Sequence, residues 1–208
     1  MSSETRKRAE RKAPAVRAAE IRDAACAIAL EGGLNAVTQR SVAARVGVAP
    51  ALVAHYEPHM EALLAAAFTT IVHSELAEVA DDIAREPTPT AAVRQLINTL
   101  LEPARQETTA IWLDAWSLGR RIEVISDAVR VEMDAWQDFV VGLVQAGIDS
   151  GEFTTTEPDA VAWQLVGMID GLNAQSLVRY RDAESRSRLL SHAMEPGLGM
   201  ATGQLAAP

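Results

Sequence analysis

Two helix stops stand only eleven positions apart in this chain, at Gly47 and Pro58. Between them there is room for one helix of barely two turns. Thr38 stands where an N-cap is needed, its hydroxyl placed to accept from the free N–H groups of the turn that follows. Ser41-Val42-Ala43-Ala44-Arg45-Val46 then makes one or two helical turns, ended by Gly47. Val48 and Ala49 lead to Pro50, which a helix tolerates in its first turn because that N–H is unpaired anyway. A second helix therefore runs from Pro50 to about Tyr56, and Pro58 forbids its simple continuation. A capped helix, a tight turn and a short second helix make a helix-turn-helix. In that motif the second helix enters the DNA major groove, and only its first turns need to reach base edges. His55 and Tyr56, closing this helix, suit hydrogen bonds to phosphate without a full charge.

The rest of the chain reads as helix. Upstream, Val16, Ala19, Ile21, Ala24, Ala25, Ile28 and Ala29 recur near helical spacing until Gly32-Gly33. Downstream, helices are predicted over about 59–85, 90–102, 106–119, 122–149, 158–180 and 182–194. Glu86-Pro87-Thr88-Pro89 breaks the first from the second. Ala is abundant and aromatics are only 4% of the chain, which favours helix over strand. The fold class is all-α, in four parts: a flexible basic arm at 1–14, a helix-turn-helix domain at 15–58, a larger helical domain at 59–195 and a disordered tail at 196–208.

Net charge is −9, but residues 1–56 hold nine Lys or Arg against five Asp or Glu. A basic head on an acidic body can offer that head to a polyanion and repel it elsewhere. A single Cys, Cys26, excludes an intrachain disulfide and fits a small core position. No run of about 18 apolar residues occurs and the basic N-terminus lacks an apolar signal core, so the expected compartment is the cytoplasm, with no membrane span. His55, Glu57 and His59 do not form a metal site, because Pro58 interrupts the helix and no third ligand is placed. With no strand, no Gly-rich phosphate loop and no diagnostic Ser-His-acid spacing, no catalytic residue and no cofactor is expected.

The stretch TQRSVAARVGVAPALVAHYEPHMEALLAAAF resembles the DNA-binding domain of TetR-type transcriptional repressors over roughly residues 15–75. Its PALV and HY segments are most similar to the choline-responsive, BetI-like branch, as are VGLVQAGIDSGEF and LVGMIDGL further on. The resemblance implies that Thr38, Gln39, Arg40, Arg45, Ala49, Pro50, Ala51, His55 and Tyr56 lie at the DNA surface. Arg8, Arg11 and Lys12 of the arm can follow the backbone or enter the minor groove. Two positions depart from the family pattern: Glu57 replaces the usual Phe, and Met60 replaces a Lys that commonly touches phosphate. One clamp is missing and an acid is added, so non-specific affinity should be weaker and its salt dependence shallower. Ala49, Pro50 and Ala51 offer no polar side chain, so half-site spacing and DNA shape should carry much of the specificity.

In the second half, Trp112 and Trp116 share one helix face. Met133, Trp136 and Phe139 fall together on the next helix, and Trp163 with Met168 on a later one. These residues, with Asp170, are the candidate lining of an effector pocket; Asp114 is a further nearby acid. Aromatic walls beside acids suit a cationic or aromatic ligand. Leu165, Gly167, Gly171, Leu172, Leu189 and Leu190, on the last two helices, are the candidate dimer interface, which the family builds as a four-helix bundle. The resemblance implies a homodimer on palindromic DNA half-sites, released by a small molecule. The rival reading is a helical homodimeric protein-interaction module without specific DNA binding.

Overall fold

In the computed structural model, residues 13–206 are described; Arg8, Arg11 and Lys12 lie outside them. The described residues hold nine α-helices and no strand. The first three make a small head. Helix α1 (Pro14–Gly32) opens on Pro14 and closes at Gly33, and a single 3-10 turn (Leu34–Ala36) follows. Helix α2 (Gln39–Val46) begins at Thr38 in a reciprocal cap: Ser41 N donates to Thr38 Oγ1 at 3.1 Å, and Thr38 N donates to Ser41 Oγ at 2.8 Å. Gly47 ends α2 at φ +72°, a left-handed conformation that costs a side-chain-bearing residue about 1 kcal/mol. Pro50 then opens α3 (Pro50–Tyr56). Ile21, Ala25 and Ile28 of α1 are buried together with Val42 of α2 and Val53 of α3.

Helix α4 (Met60–Ile83) leaves the head and runs into the body. By length and composition alone it could cross a bilayer. Here it packs on α1 and, in the body, on α7, and Phe68, Val72 and Val79 are fully buried. The body adds α5 (Pro89–Leu101), α6 (Gln106–Gly119), α7 (Glu123–Asp149), α8 (Pro158–Leu177) and α9 (Ala183–Leu198). A one-turn 3-10 segment (Pro103–Arg105) joins α5 to α6. Helix α7 is the central post, in contact with α4, α5, α6 and α8. Side-chain caps start α5 at Thr88 and α9 at Asp182.

The tail differs from the sequence expectation. Helix α9 continues through Pro196 to Leu198, and the chain to Ala206 then folds back on it. The Glu195 carboxylate, 1% exposed, accepts backbone N–H groups of Gly203 and Leu205 at 2.9 Å and Ala206 at 3.4 Å. Arg94 of α5 donates to the Gln204 and Leu205 carbonyls at 3.1 and 3.0 Å, and the Leu205 side chain is fully buried. The Gly- and Ala-rich composition suggested disorder. One buried acid and one apolar anchor order the segment instead.

Candidate DNA surface and effector cavity

The head presents the expected residues at its surface. Thr38, Arg40, Arg45, Ala49, Pro50, Ala51 and His55 are exposed, and Gln39 and Tyr56 are half-buried. The rings of His55 and Tyr56 meet edge to face at 5.3 Å. Arg45 is engaged: its guanidinium forks onto Glu31 at the end of α1, with Nη1 2.8 Å from the carboxylate. Glu57, the departure from the family pattern, sits 3.5 Å from Arg22 of α1, so its charge is partly met within the head.

The body holds an aromatic cleft between α4, α6, α7 and α8, with a cavity volume of about 50 Å³. Trp112 and Trp116 of α6, Met133 and Trp136 of α7 and Asp170 of α8 line it, as the sequence suggested. Trp112 lies edge-on to Phe68 at 5.0 Å and tilted against Trp116 at 5.7 Å. Three of the suggested lining residues fall elsewhere. Phe139 packs edge to face behind Trp136 at 6.2 Å, and Met168 is a half-buried residue beside the core. Trp163 is 71% exposed, because α8 turns Val161, Leu165, Ile169 and Leu172 inward and residues 163, 167 and 171 outward. Asp114 also points away from the cavity, towards the head.

Sequence reasoning missed four polar lining residues: Glu75, Arg105, Thr109 and Asn173. Glu75 was legible as an acid at the 68, 72, 75, 79 spacing of the buried face of α4. Its carboxylate stands 3.8 Å from Arg105. Burial pushes Glu75 up to about 7, against the attraction of Arg105 and hydrogen bonds with Thr108 and Trp112. Burial alone pushes Asp170 up to about 6. Among the described residues no hydrogen bond or ion pair reaches Asp170. The Trp136 indole N–H is buried without an acceptor. Among the described residues one other side-chain atom shares that state, Nε of Arg186, whose two Nη groups donate to the Arg181 and Leu101 carbonyls. No cluster of three or more metal-ligating side chains occurs among the described residues.

Head and cavity share a wall. Asp114 lies on α6 between Trp112 and Trp116, on the other side of the helix. Its Oδ2 accepts from Leu34 N at 2.8 Å, and its Oδ1 accepts from Asn35 Nδ2 at 3.1 Å. Gly33 (φ +81°) lies under this carboxylate, and a Cβ there would stand 2.5 Å from Oδ2. One side chain thus fastens the α1–α2 corner of the head to a helix of the cavity.

The candidate dimer residues divide. Leu165, Leu172 and Leu190 are buried within the subunit and serve its own core, contrary to expectation. Leu189 is 56% exposed, and a Cβ at Gly167 or Gly171 would meet open space. Trp163, and Val178 just past the end of α8, extend the same outward stripe, so α8 and α9 show exposed apolar side chains.

A helix-turn-helix head fastened to a helical body with an aromatic cavity is the build of a ligand-responsive transcriptional regulator. The model of the C-terminal domain of BetI-type transcriptional repressors matches residues 89–195, just over half of the chain. The chain belongs to the TetR family of regulators, with a body of the BetI type. Among solved structures, a TetR-family regulator from Rhodococcus sp. superposes with a TM-score of 0.74 at 18% identity, covering 88% of this chain and 99% of that one. A transcriptional regulator from Saccharomonospora viridis, solved with choline, gives 0.71 at 19% identity over 85% and 94%. FadR from Bacillus subtilis, solved with stearoyl-CoA, gives 0.69 at 17% identity over 86% and 98%. A search of curated proteins gave no significant match.

Proposed function

We propose that this chain is a cytoplasmic homodimeric repressor that holds operator DNA through α2 and α3 and lets go when a small organic cation occupies the cavity. The observation that carries this reading is the double role of α6, which walls the cavity with Trp112 and Trp116 and fastens the head through Asp114. A ligand that displaces α6 moves the α1–α2 corner. In a dimer that alters the separation of the two recognition helices, which must match about one DNA turn. Release requires the ligand to bind the displaced state better than the DNA-bound one. Arg40, Gln39 and Thr38 contact DNA at the start of α2. Pro50 and Ala51 face the groove, and His55 and Tyr56 meet phosphate. Arg45 joins them once it leaves Glu31. Subunits pair through the outward face of α8 and α9, with Trp163, Gly167, Gly171 and Leu189 at the contact. Three indoles and two carboxyls suit a cation, and the choline held by the S. viridis regulator fits the same chemistry.

The test is a gel shift with the chain's own flanking intergenic DNA, at varied salt, with and without deletion of residues 1–14. A specific, palindromic footprint supports the repressor reading, and weaker binding after deletion assigns the arm to DNA. Binding no better than to random DNA overturns it and leaves the protein-interaction reading. Asp114→Ala should keep effector binding, read by Trp fluorescence, while the effector no longer releases DNA.

A further inference from the structure

The cleft is small and carries its own cation. A cavity of about 50 Å³ holds only a few waters, so an organic effector enters only if part of the wall gives way. Most of that wall is core: Leu100, Trp136, Val140 and Ile169 are buried. Arg105, the one cation among the lining residues, is placed differently. Its backbone is fixed in the turn between α5 and α6, where its N–H donates to the Glu102 carbonyl and its own carbonyl accepts from Thr109 Oγ1, both at 3.1 Å. Its side chain is shared. The same Nη1 stands 3.8 Å from Glu75 and 3.5 Å from Glu78. These two acids are three apart on α4, so they are neighbours on one helix face. The Glu75 side chain is 8% exposed and lines the cleft, whereas that of Glu78 is 64% exposed. One guanidinium thus spans an inner and an outer carboxylate.

We propose that Arg105 is a resident stand-in for the effector: it neutralises Glu75 in the effector-free protein, and it swings out to Glu78 alone when an organic cation takes its place on Glu75. This rests on the effector reading above and adds the residue that the ligand displaces. Rotation about the side-chain bonds of Arg105 suffices, because the outer carboxylate is already within reach. The exchange keeps the buried charge matched. Glu75 trades one cation for another and retains its hydrogen bonds with Thr108 and Trp112. Arg105 keeps an acid beside it near the surface, where such a pair costs little to make or break. Taking Arg105 from Glu75 without a replacement would strand a buried charge. A neutral ligand of the same shape supplies no replacement, so it leaves Arg105 on Glu75 and the wall closed. Glu78 therefore sets how readily the cleft opens, although it touches no ligand.

Choline and its neutral carbon analogue, 3,3-dimethylbutan-1-ol, are the probes. Calorimetry on the full chain at pH 8, above the value of about 7 at which Glu75 titrates, should show choline binding more tightly than the alcohol. Glu75→Gln should erase that preference. Arg105→Met keeps the stem and removes the charge. It should tighten choline at least about fivefold, because the closed state no longer competes. Glu78→Gln should weaken choline about threefold and have no effect in the Arg105→Met background. Thermal scans establish that each variant is folded. Unchanged or weaker choline binding by Arg105→Met overturns the proposal and leaves the cationic effector standing. So does an equal loss from Glu78→Gln in both backgrounds, which would mean that this acid acts on the ligand directly and not through Arg105. Glu78→Gln alone carries the test if Arg105→Met is unstable: unchanged choline binding by that exposed-site variant overturns the proposal as well. If the alcohol binds as well as choline, or neither binds, while the operator shift persists, this proposal and the cationic effector fall and the DNA-binding reading holds. If the operator shift is absent as well, all three fall.

Discussion

Glu195 and Asp170 are both carboxyls withdrawn from water on neighbouring helices, and their surroundings are opposite. Burial alone would raise Glu195, but the N–H groups of Gly203, Leu205 and Ala206, with His192 at 3.3 Å, hold it below the usual carboxylate range. Asp170 has burial and nothing to oppose it. The first acid is complete within its own chain. The second has no hydrogen-bond or ion-pair partner among the described residues. A buried carboxyl whose lone pairs all find donors is stabilised in its charged form, and one without donors is pushed towards its neutral form.

The contrast makes predictions that can break it. The largest effect should follow deletion of residues 200–208, which removes the Leu205 anchor and leaves Glu195 buried without its donors. Unfolding in urea should show a loss of about 4 kcal/mol. A loss under 1 kcal/mol would mean that the tail is ornamental. Next is the pH dependence of the cavity acids. Glu75 titrates near 7 when folded and near 4.5 when unfolded. The unfolded chain therefore gives up its proton first, and stability present below pH 4.5 is lost as pH rises through about 7. Between pH 5 and 8 the wild type should lose on the order of 3 kcal/mol more than Glu75→Gln. Glu195 works with the other sign: its contribution is present above about pH 4.5 and lost as pH falls through its depressed folded value. Glu195→Ala, which strands the same N–H groups without a buried charge, should cost about 2 kcal/mol at pH 7 and much less at pH 3. The smallest effect is expected from Asp170→Asn, whose stability at pH 7 should equal the wild type's or exceed it by up to about 1 kcal/mol. A destabilised Asp170→Asn would show that this carboxyl has a structural partner after all.

The two regions were not equally legible. The head announces itself through local chemistry: Thr38 as a cap, Gly47 as a left-handed stop, Pro50 as a first-turn residue. Each acts within a few positions of itself, so the sequence carries the whole argument. Helix spans in the body were legible from the same periodicity, and the cleft brings Trp112, Trp116 and Trp136 together. The outward place of Trp163 was not legible, because a large apolar side chain looks alike on the inner and outer faces of α8 until its neighbours are placed. Leu165 and Leu189 show the same ambiguity from opposite sides. Glu75, Arg105 and the Glu195 knot rest on contacts between distant helices or between a helix and the chain end. No spacing rule reports those.

The Gly33–Asp114 contact also bears on how such chains can be recombined. Grafting this head onto another body would need, at one junction, a glycine at positive φ, a free Leu34 N–H and an acid on the incoming helix. A body lacking that acid would leave the corner N–H unpaired and the head free to pivot. A chimera of that kind could still bind DNA and bind effector, each alone, and have lost the conversation between them.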